Sequence, residues 1–491
     1  MWSVVVFWII LLVYIVLVVS TVTVVLLENR QPAKTIAWTI VLVMLPVVGL
    51  IIFYFFGQNI RKERYISRRQ YNRLTRQMLQ RVNALPQDAA PRRYIPLVRL
   101  FQTTNGSILT SVRHIDGYTT GADWVQALLR EVGRAHKSIH IETYIIEDDP
   151  VGRLMRDALI DQARHGIDVR LIYDAVGCWH VHPSFFDPLI AAGVQVQAFL
   201  PVHFPSLTHK VNYRNHRKVC IIDDRVGFIG GMNLALRYVS RRQQKWRDMH
   251  LRIEGDAVAD LQRLFLVDWT FVTGTPIPAD DLPTGAPTPA AMPAGAPTPA
   301  TMPAGSPVPD CLLQIVSSNP VSRYPEIMYG LVWVIQHARR YLYIQTPYFM
   351  PTEPVLQALQ TAAMSGVDVR LMVPEKPDSI LLRRINECYF SQVLQAGIRV
   401  FRYKDGFLHS KCVVADDDWC TVGSTNMDFR SFENNFEANA FIYGSAAACP
   451  VREGFIADMA HCDEVTLPEW RQRPYRHRVV EAYTRIFAPL L

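Results

Sequence analysis

The first hydrophobic pattern along the chain is an uninterrupted one. Trp2 to Leu27 carries no charge over 26 residues, and Ile36 to Phe56 carries none over 21. At 1.5 Å per residue, either run as a helix is long enough for about 30 Å of hydrocarbon. The expectation is a two-helix transmembrane hairpin over residues 1–59. A cleaved signal peptide is the rival for the first run, but it lacks a basic start and a second apolar run follows at once.

Beyond this region the pattern alternates between helical and strand periods. Trp124, Ala127, Leu128 and Val132 recur at helical spacing between Asp123 and Ala135. Ser138 to Ile146 reads as a strand, Gly152 to His165 as a helix and Val169 to Tyr173 as a buried strand. The series returns later as a strand over Tyr341–Phe349, a helix over Pro354–Met364 and a strand over Val369–Val373. The second copy enters its last strand through Gly366-Val-Asp, where the first has Gly166-Ile-Asp. Strand, helix and strand with short connections imply right-handed crossovers in a parallel or mixed sheet. The fold class expected is therefore a duplicated α/β domain, with halves over 96–280 and 311–491.

Charge and composition refine this organisation. The chain is 49% hydrophobic and 19% charged, with a net charge of +7, which suits an acidic partner. The connection from Glu28 to Lys34 holds two basic residues, whereas the stretch from Arg61 to Arg76 holds seven: Arg61, Lys62, Arg64, Arg68, Arg69, Arg73 and Arg76. The positive-inside rule then places both ends of the hairpin in the cytoplasm. The basic segment, 60–95, reads either as an interfacial helix on an anionic leaflet or as a solvated linker. Between the halves, Gly285–Ala294 is repeated almost unchanged as Gly295–Ala304, and this Pro/Ala-rich composition over 281–310 reads as a tether.

Each half also carries a polar signature. His216, Lys218, Asp223, Gly230, Gly231 and Asn233 recur as His409, Lys411, Asp416, Gly423, Ser424 and Asn426. On a strand, residues two apart share a face, so each histidine points with its lysine. Asp223 lies seven residues past His216, about 23 Å along an extended strand at roughly 3.3 Å per residue and on the other face. It cannot touch that imidazole, and Asp223 and Asp416 read as anchors of the turns after their strands. A phosphodiester needs a nucleophile, a proton donor for the leaving oxygen and donors around its equatorial oxygens. Two histidines, two lysines and two asparagines supply that set at neutral pH without a metal or cofactor.

These signatures, His-x-Lys-x4-Asp followed by Gly-Gly-x-Asn or Gly-Ser-x-Asn, resemble those of the phospholipase D superfamily. Within it the chain is most similar to the bacterial cardiolipin synthases. Glu28-Asn29-Arg30, Trp246-Arg247-Asp248, Asp428 to Glu437 and the closing Arg485-Ile-Phe-Ala-Pro-Leu-Leu carry the likeness over nearly the whole chain. The resemblance implies a multi-pass inner-membrane phosphatidyltransferase, its catalytic domain cytoplasmic, joining two phosphatidylglycerols and releasing glycerol. It places His216, Lys218, Asp223, His409, Lys411 and Asp416 in the catalytic signatures, with His216 as nucleophile and His409 as acid and base. Lys218, Lys411, Asn233 and Asn426 would hold phosphate oxygens. Asp248 and Glu437 are the candidates to orient the imidazoles, Asp248 for His216 and Glu437 for His409. The partners implied are phosphatidylglycerol, anionic membrane lipid and the membrane, with no nucleic acid.

Two alternatives remain open at this point: a membrane-bound phosphodiesterase of the same superfamily using water or another alcohol, and a membrane scaffold with relic signatures. Phe228, Phe407 and Phe429 are candidates to keep water out, or plain core. The eight cysteines include no Cys-x2-Cys, which fits reduced, buried thiols. Cys178, His180 and His182 lie close in sequence but lack a fourth metal ligand at recognisable spacing. A substrate-facing loop presenting Trp179 is the simpler reading of that stretch.

Overall fold

Two sheets with the same strand order lie edge to edge and share one strand. The computed structural model describes residues 2–27, 32–45, 47–57, 84–202, 212–239, 245–275 and 311–487. The Glu28-Asn29-Arg30 connection, the basic run Arg61–Arg76, the 281–310 tether and the last four residues fall outside them.

In the first half the order is Gln195–Phe199, Asp168–Asp174, Ser138–Thr143, Val219–Ile222, Val226–Gly230, His250–Gly255 and Thr110–Tyr118. The second half runs in the same order from Arg399–Tyr403 through Asp368–Pro374, Tyr341–Gln345, Cys412–Ala415, Trp419–Gly423 and Asn435–Tyr443 to Leu312–Ser318. The crossover strands are parallel and the signature hairpins antiparallel, which makes each sheet mixed. Thr110 and Ser111 pair with Leu313 and Leu312 of the second half. After an irregularity at Val112–His114, the same strand pairs with His250–Gly255 of the first.

The expected helices form at Gly121–Val132, Pro150–Arg164 and Glu353–Met364. Asp149 caps the second by accepting from the backbone N–H groups of Val151 and Gly152. Two strands stop earlier than their sequences suggest, at Thr143 and at Gln345. The Thr143 hydroxyl turns back to the carbonyl of Ile145, whose N–H donates to Asn233. What reads as strand continuation becomes the loop that carries Tyr144.

A helix that the pattern did not predict, Ala257–Thr273, is buried almost all round. It has no polar stripe to betray its period. One apolar cluster runs past it from Val219, Leu251 and Phe265 to Val414, Ala438 and Ile442, so the two halves share a core. Within this core Arg217 pairs with Asp268.

At the amino terminus Trp2–Leu27 is a single apolar helix. The second expected span is interrupted: a helix over Pro32–Met44, then Val48–Ile52, then a wider turn over Phe53–Gly57. The break lets Gly49 lie on the backbone of Val41, where a Cβ would come within 2.6 Å of its carbonyl oxygen. Val25, Trp38, Val41, Leu42 and Phe53 pack together across the two segments. Among the described residues one helix, Trp2–Leu27, has the length and apolarity to cross a membrane.

Candidate active site

Each signature histidine enters the site from a two-residue strand that pairs with the other half. Arg214–Asn215 runs parallel to Asn435–Phe436, and the His216 N–H donates to the Phe436 carbonyl at 2.9 Å. Phe407–Leu408 runs parallel to Trp246–Arg247, and the His409 N–H donates to the Arg247 carbonyl at 2.7 Å. The next residue along each partner strand is a carboxylate, Glu437 in one case and Asp248 in the other. Consequently the carboxylate that reaches each imidazole comes from the opposite half.

This reverses the pairing expected from sequence order. His216 Nδ1 lies 3.0 and 3.1 Å from the two carboxylate oxygens of Glu437. His409 Nδ1 lies 2.6 Å from Asp248 Oδ2. Asp248 and Glu437 each lie against an imidazole, but Asp248 meets His409 and Glu437 meets His216. Both carboxylates are fully buried. The Ser424 hydroxyl and Asn435 Nδ2 also donate to Glu437. In the other half Gly231 leaves space for the shorter Asp248, since a Cβ there would fall 2.1 Å from Asp248 Oδ1. The difference between Gly-Gly and Gly-Ser in the two signatures thus follows the difference between Asp and Glu.

Burial sets the proton affinities of the site. It lowers His216 to about 4, against the opposing pull of Glu437, and His409 to about 3, against that of Asp248. It also lowers Lys411 to about 8 and pushes Lys218 well below the ordinary lysine range. For Glu437 and Asp248, burial favours protonation, but the neighbouring lysine and histidine charges and hydrogen bonds outweigh it and hold both below their usual range. Each imidazole therefore keeps its Nδ1 side on an ionised carboxylate, which leaves Nε2 for the ligand.

Both histidines line a cleft of about 300 Å³ together with Asn233 and Asn426. Lys218 and Lys411 are buried beside it, each donating to the carbonyl of its own histidine. Asn233 is held by two contacts, accepting from the Ile145 N–H and donating to the Tyr238 hydroxyl at 2.7 Å. Asn426 Oδ1 and Asn435 Oδ1 are buried with no hydrogen-bond partner among the described residues, and both side chains line the cleft.

Asp223 and Asp416, placed in the catalytic signatures by the resemblance, do not line the cleft. Asp223 accepts from the backbone N–H groups of His136, Lys137 and Ser138. Asp416 accepts from those of Arg339, Arg340 and Tyr341 and pairs with Arg93. Both occupy hairpin turns with φ of 54° and 56°, a left-handed conformation that aspartate tolerates. Burial favours protonation of Asp416, but its N–H partners and Arg93 outweigh this and hold it below the carboxylate range. Asp416→Ala should cost about 1–3 kcal/mol of stability without changing the rate per folded molecule. Because the folded-state pKa is depressed, the stabilisation exists above the unfolded-state pKa and disappears as pH falls through the folded value, so the two melting temperatures should converge in acid. Lost turnover at unchanged melting temperature would return Asp416 to the chemistry.

Several cleft residues are assigned no role from the sequence. Tyr144 sits edge-on to His216 at 5.0 Å, and Tyr238 and Trp246 lie 5.8 and 5.0 Å from His409. Tyr348 donates to Asp378 at 2.7 Å, and Arg214, Arg237 and Arg430 complete the walls. Of the three phenylalanines, Phe407 packs 5.7 Å from His409, while Phe228 is fully buried in the core of the first half. Phe429 is buried in the second. Trp179 is 57% exposed and does not line the cleft, contrary to the substrate-facing reading. Cys178 is buried under the Tyr144 carbonyl and His182 bonds to Ser184; no metal-binding group of His, Cys, Asp and Glu forms among the described residues.

A family model described as "Cardiolipin synthase, PLD-like domain" matches residues 128–269 and 331–459, and a "Phospholipase_D-nuclease N-terminal" model matches 6–58. The cardiolipin synthase of Geobacillus kaustophilus is 34% identical over 473 residues, covering 95% of this chain and 91% of its own. That of Clostridium perfringens strain SM101 is 36% identical over 471 residues, covering 95% and 96%. The chain belongs to the cardiolipin synthase family. A crystal structure of phosphatidylserine synthase from Haemophilus influenzae shares the fold at a TM-score of 0.59 and 14% identity, covering 80% of this chain and 99% of that one. The duplicated segments matched to the cardiolipin synthase family contain His216, Asp248, His409 and Glu437, so both crossed pairs lie within the matched regions.

Proposed function

We propose that this chain is a cardiolipin synthase that moves a phosphatidyl group from one phosphatidylglycerol to the terminal hydroxyl of a second. The observation that carries this reading is the pair of histidines facing one cleft, each with Nδ1 on a buried carboxylate. His216 Nε2 attacks phosphorus while His409 gives its proton to the departing glycerol oxygen, leaving a phosphatidyl-histidine. His409 then takes the proton of the incoming hydroxyl, whose oxygen displaces His216. Lys218, Lys411, Asn426 and the free N–H of Asn233 surround the phosphate oxygens. Burial favours the neutral form of both imidazoles. The phosphate anion supplies the counter-charge that lets His409 hold the proton it must deliver. Arg214, Arg237 and Arg430 suit a cleft that receives two anionic lipids.

Water at roughly 55 M competes for the same intermediate, so transfer depends on a dry site and on concentrated lipid. Tyr238, Trp246 and Phe407 around His409 serve the first need, and the membrane anchor serves the second. With vesicles of labelled phosphatidylglycerol, cardiolipin and free glycerol should form in equal amounts, with phosphatidic acid minor. Dominant phosphatidic acid in intact bilayers would make the chain a phosphodiesterase. We read Pro32–Gly57, despite its break, as the second arm of a membrane hairpin, with the site on the cytoplasmic side. A reporter fused after Leu491 should then be active only if it is one that works in the cytoplasm; activity of a periplasmic reporter would refute that topology.

A further inference from the structure

The duplicated register identifies counterparts around the two lysines. Glu142 pairs with Val219 and Gln345 with Cys412, at the same offset from their histidines. His250 pairs with Gly230 and Asn439 with Gly423, again at matching offsets. In the second half these side chains are satisfied. Gln345 donates to Asp458 at 2.7 Å and accepts from the Cys412 thiol. Asn439 accepts from the Thr425 hydroxyl at 2.7 Å and donates to Thr421 at 3.2 Å.

In the first half they are not. Glu142 accepts from Asn215 through Oε1, but its Oε2 has no partner among the described residues. Neither nitrogen of His250 has one, nor does Trp124 Nε1. These three side chains and Lys218 line the same buried space, each no more than 3% exposed. That space leaves about 10 Å³ for the centre of a water molecule, enough for one. Buried polar atoms without partners are costly, and here they form a complementary set. Trp124 Nε1–H and the Lys218 ammonium donate, while Glu142 Oε2 and one nitrogen of a neutral His250 accept.

We propose that the first half holds one buried water bound by Trp124, Glu142, His250 and Lys218, and that this water fixes the Lys218 ammonium against the donor phosphate. The second part rests on the phosphatidyl-transfer reading; the first does not. Lysine has three N–H donors. One goes to the His216 carbonyl, one to the water and one is left for the phosphate. A small cation is a poor occupant because the ammonium already supplies positive charge. Glu142, His250 and Trp124 are thus positioning residues that act through Lys218. The other charges facing Lys218 are Glu437, Asp248 and Asp174, which favour its protonation, and Lys411, which opposes it. The Tyr144 ring lies 5.1 Å from its Nζ.

A crystal structure of the full chain at a resolution that shows ordered water tests the first part directly. Density within hydrogen-bonding distance of all four side chains is expected, and a dry or collapsed space would overturn the site. For the second part, His250→Phe fills the space with an apolar ring. The alkaline limb of its phosphatidyl-transfer pH profile should fall by about one unit, as a destabilised ammonium requires. His250→Asn, the residue used at the counterpart position, should restore the limb. An unchanged alkaline limb in a folded His250→Phe variant would refute the role in Lys218, and so would a lowered melting temperature alone. If the wild-type chain shows the water but hydrolyses phosphatidylglycerol without transfer, the water site stands and the functional reading fails.

Discussion

His216→Ala and His409→Ala should each lower cardiolipin formation by roughly a thousandfold or more, since one phosphate needs both a nucleophile and an acid. The two imidazoles face one cleft, and among the described residues no other histidine lines it. The double variant should be little worse than either single one, because groups acting on the same bond do not contribute additively. Measuring all three with labelled phosphatidylglycerol in detergent and in vesicles separates this from the alternative. Two independent sites would leave about half the activity in each single variant, and that result would abolish the shared cleft. The two variants should differ in one respect. A trapped phosphatidyl-enzyme is expected to survive longer when His409 is removed, and none should form when His216 is removed.

The crossed carboxylates give the second large effect. In Asp248→Asn the amide can donate to His409 Nδ1, which turns the imidazole to the wrong tautomer. Glu437→Gln does the same to His216. Each should lose roughly a thousand- to ten-thousandfold in turnover, the scale seen when an orienting carboxylate of a catalytic histidine is made neutral. Nitrogen-15 spectra of labelled histidine provide the decisive measurement. The Asp248 change should move the resonances of His409 and leave those of His216 in place, and the Glu437 change should do the reverse. The opposite assignment would restore the pairing expected from sequence order and refute the observed one.

That error shows where the sequence stops being informative. The parity of His216 with Lys218, the turn role of Asp223 and Asp416, and the repeated strand-helix-strand order follow from local periods, and local periods are legible. The crossing depends on Arg214–Asn215 and Trp246–Arg247, strands of two residues that have no period at all. Their partners lie in the other half, so nothing near them in sequence records the pairing. Tyr144 and Tyr238 escaped for a related reason. Each sits among apolar neighbours and reads as core until the Thr143 turn and the Asn233 amide bring it to a histidine. The Ala257–Thr273 helix is hidden by the uniform burial that makes it central.

The exchange of carboxylates between halves also bears on how such a chain could arise. Half a molecule has a histidine whose carboxylate it does not possess, and a carboxylate with no imidazole to hold. Two identical copies related by a twofold axis through the cleft would complete both pairs at once, so the crossed geometry is the one an ancestral symmetric homodimer would have. In that ancestor every substitution appeared twice. Fusion removed the constraint, and the Gly231 and Asp248 pair could then diverge from Ser424 and Glu437 one site at a time. Which histidine attacks and which serves as the acid could become fixed only after that freedom existed.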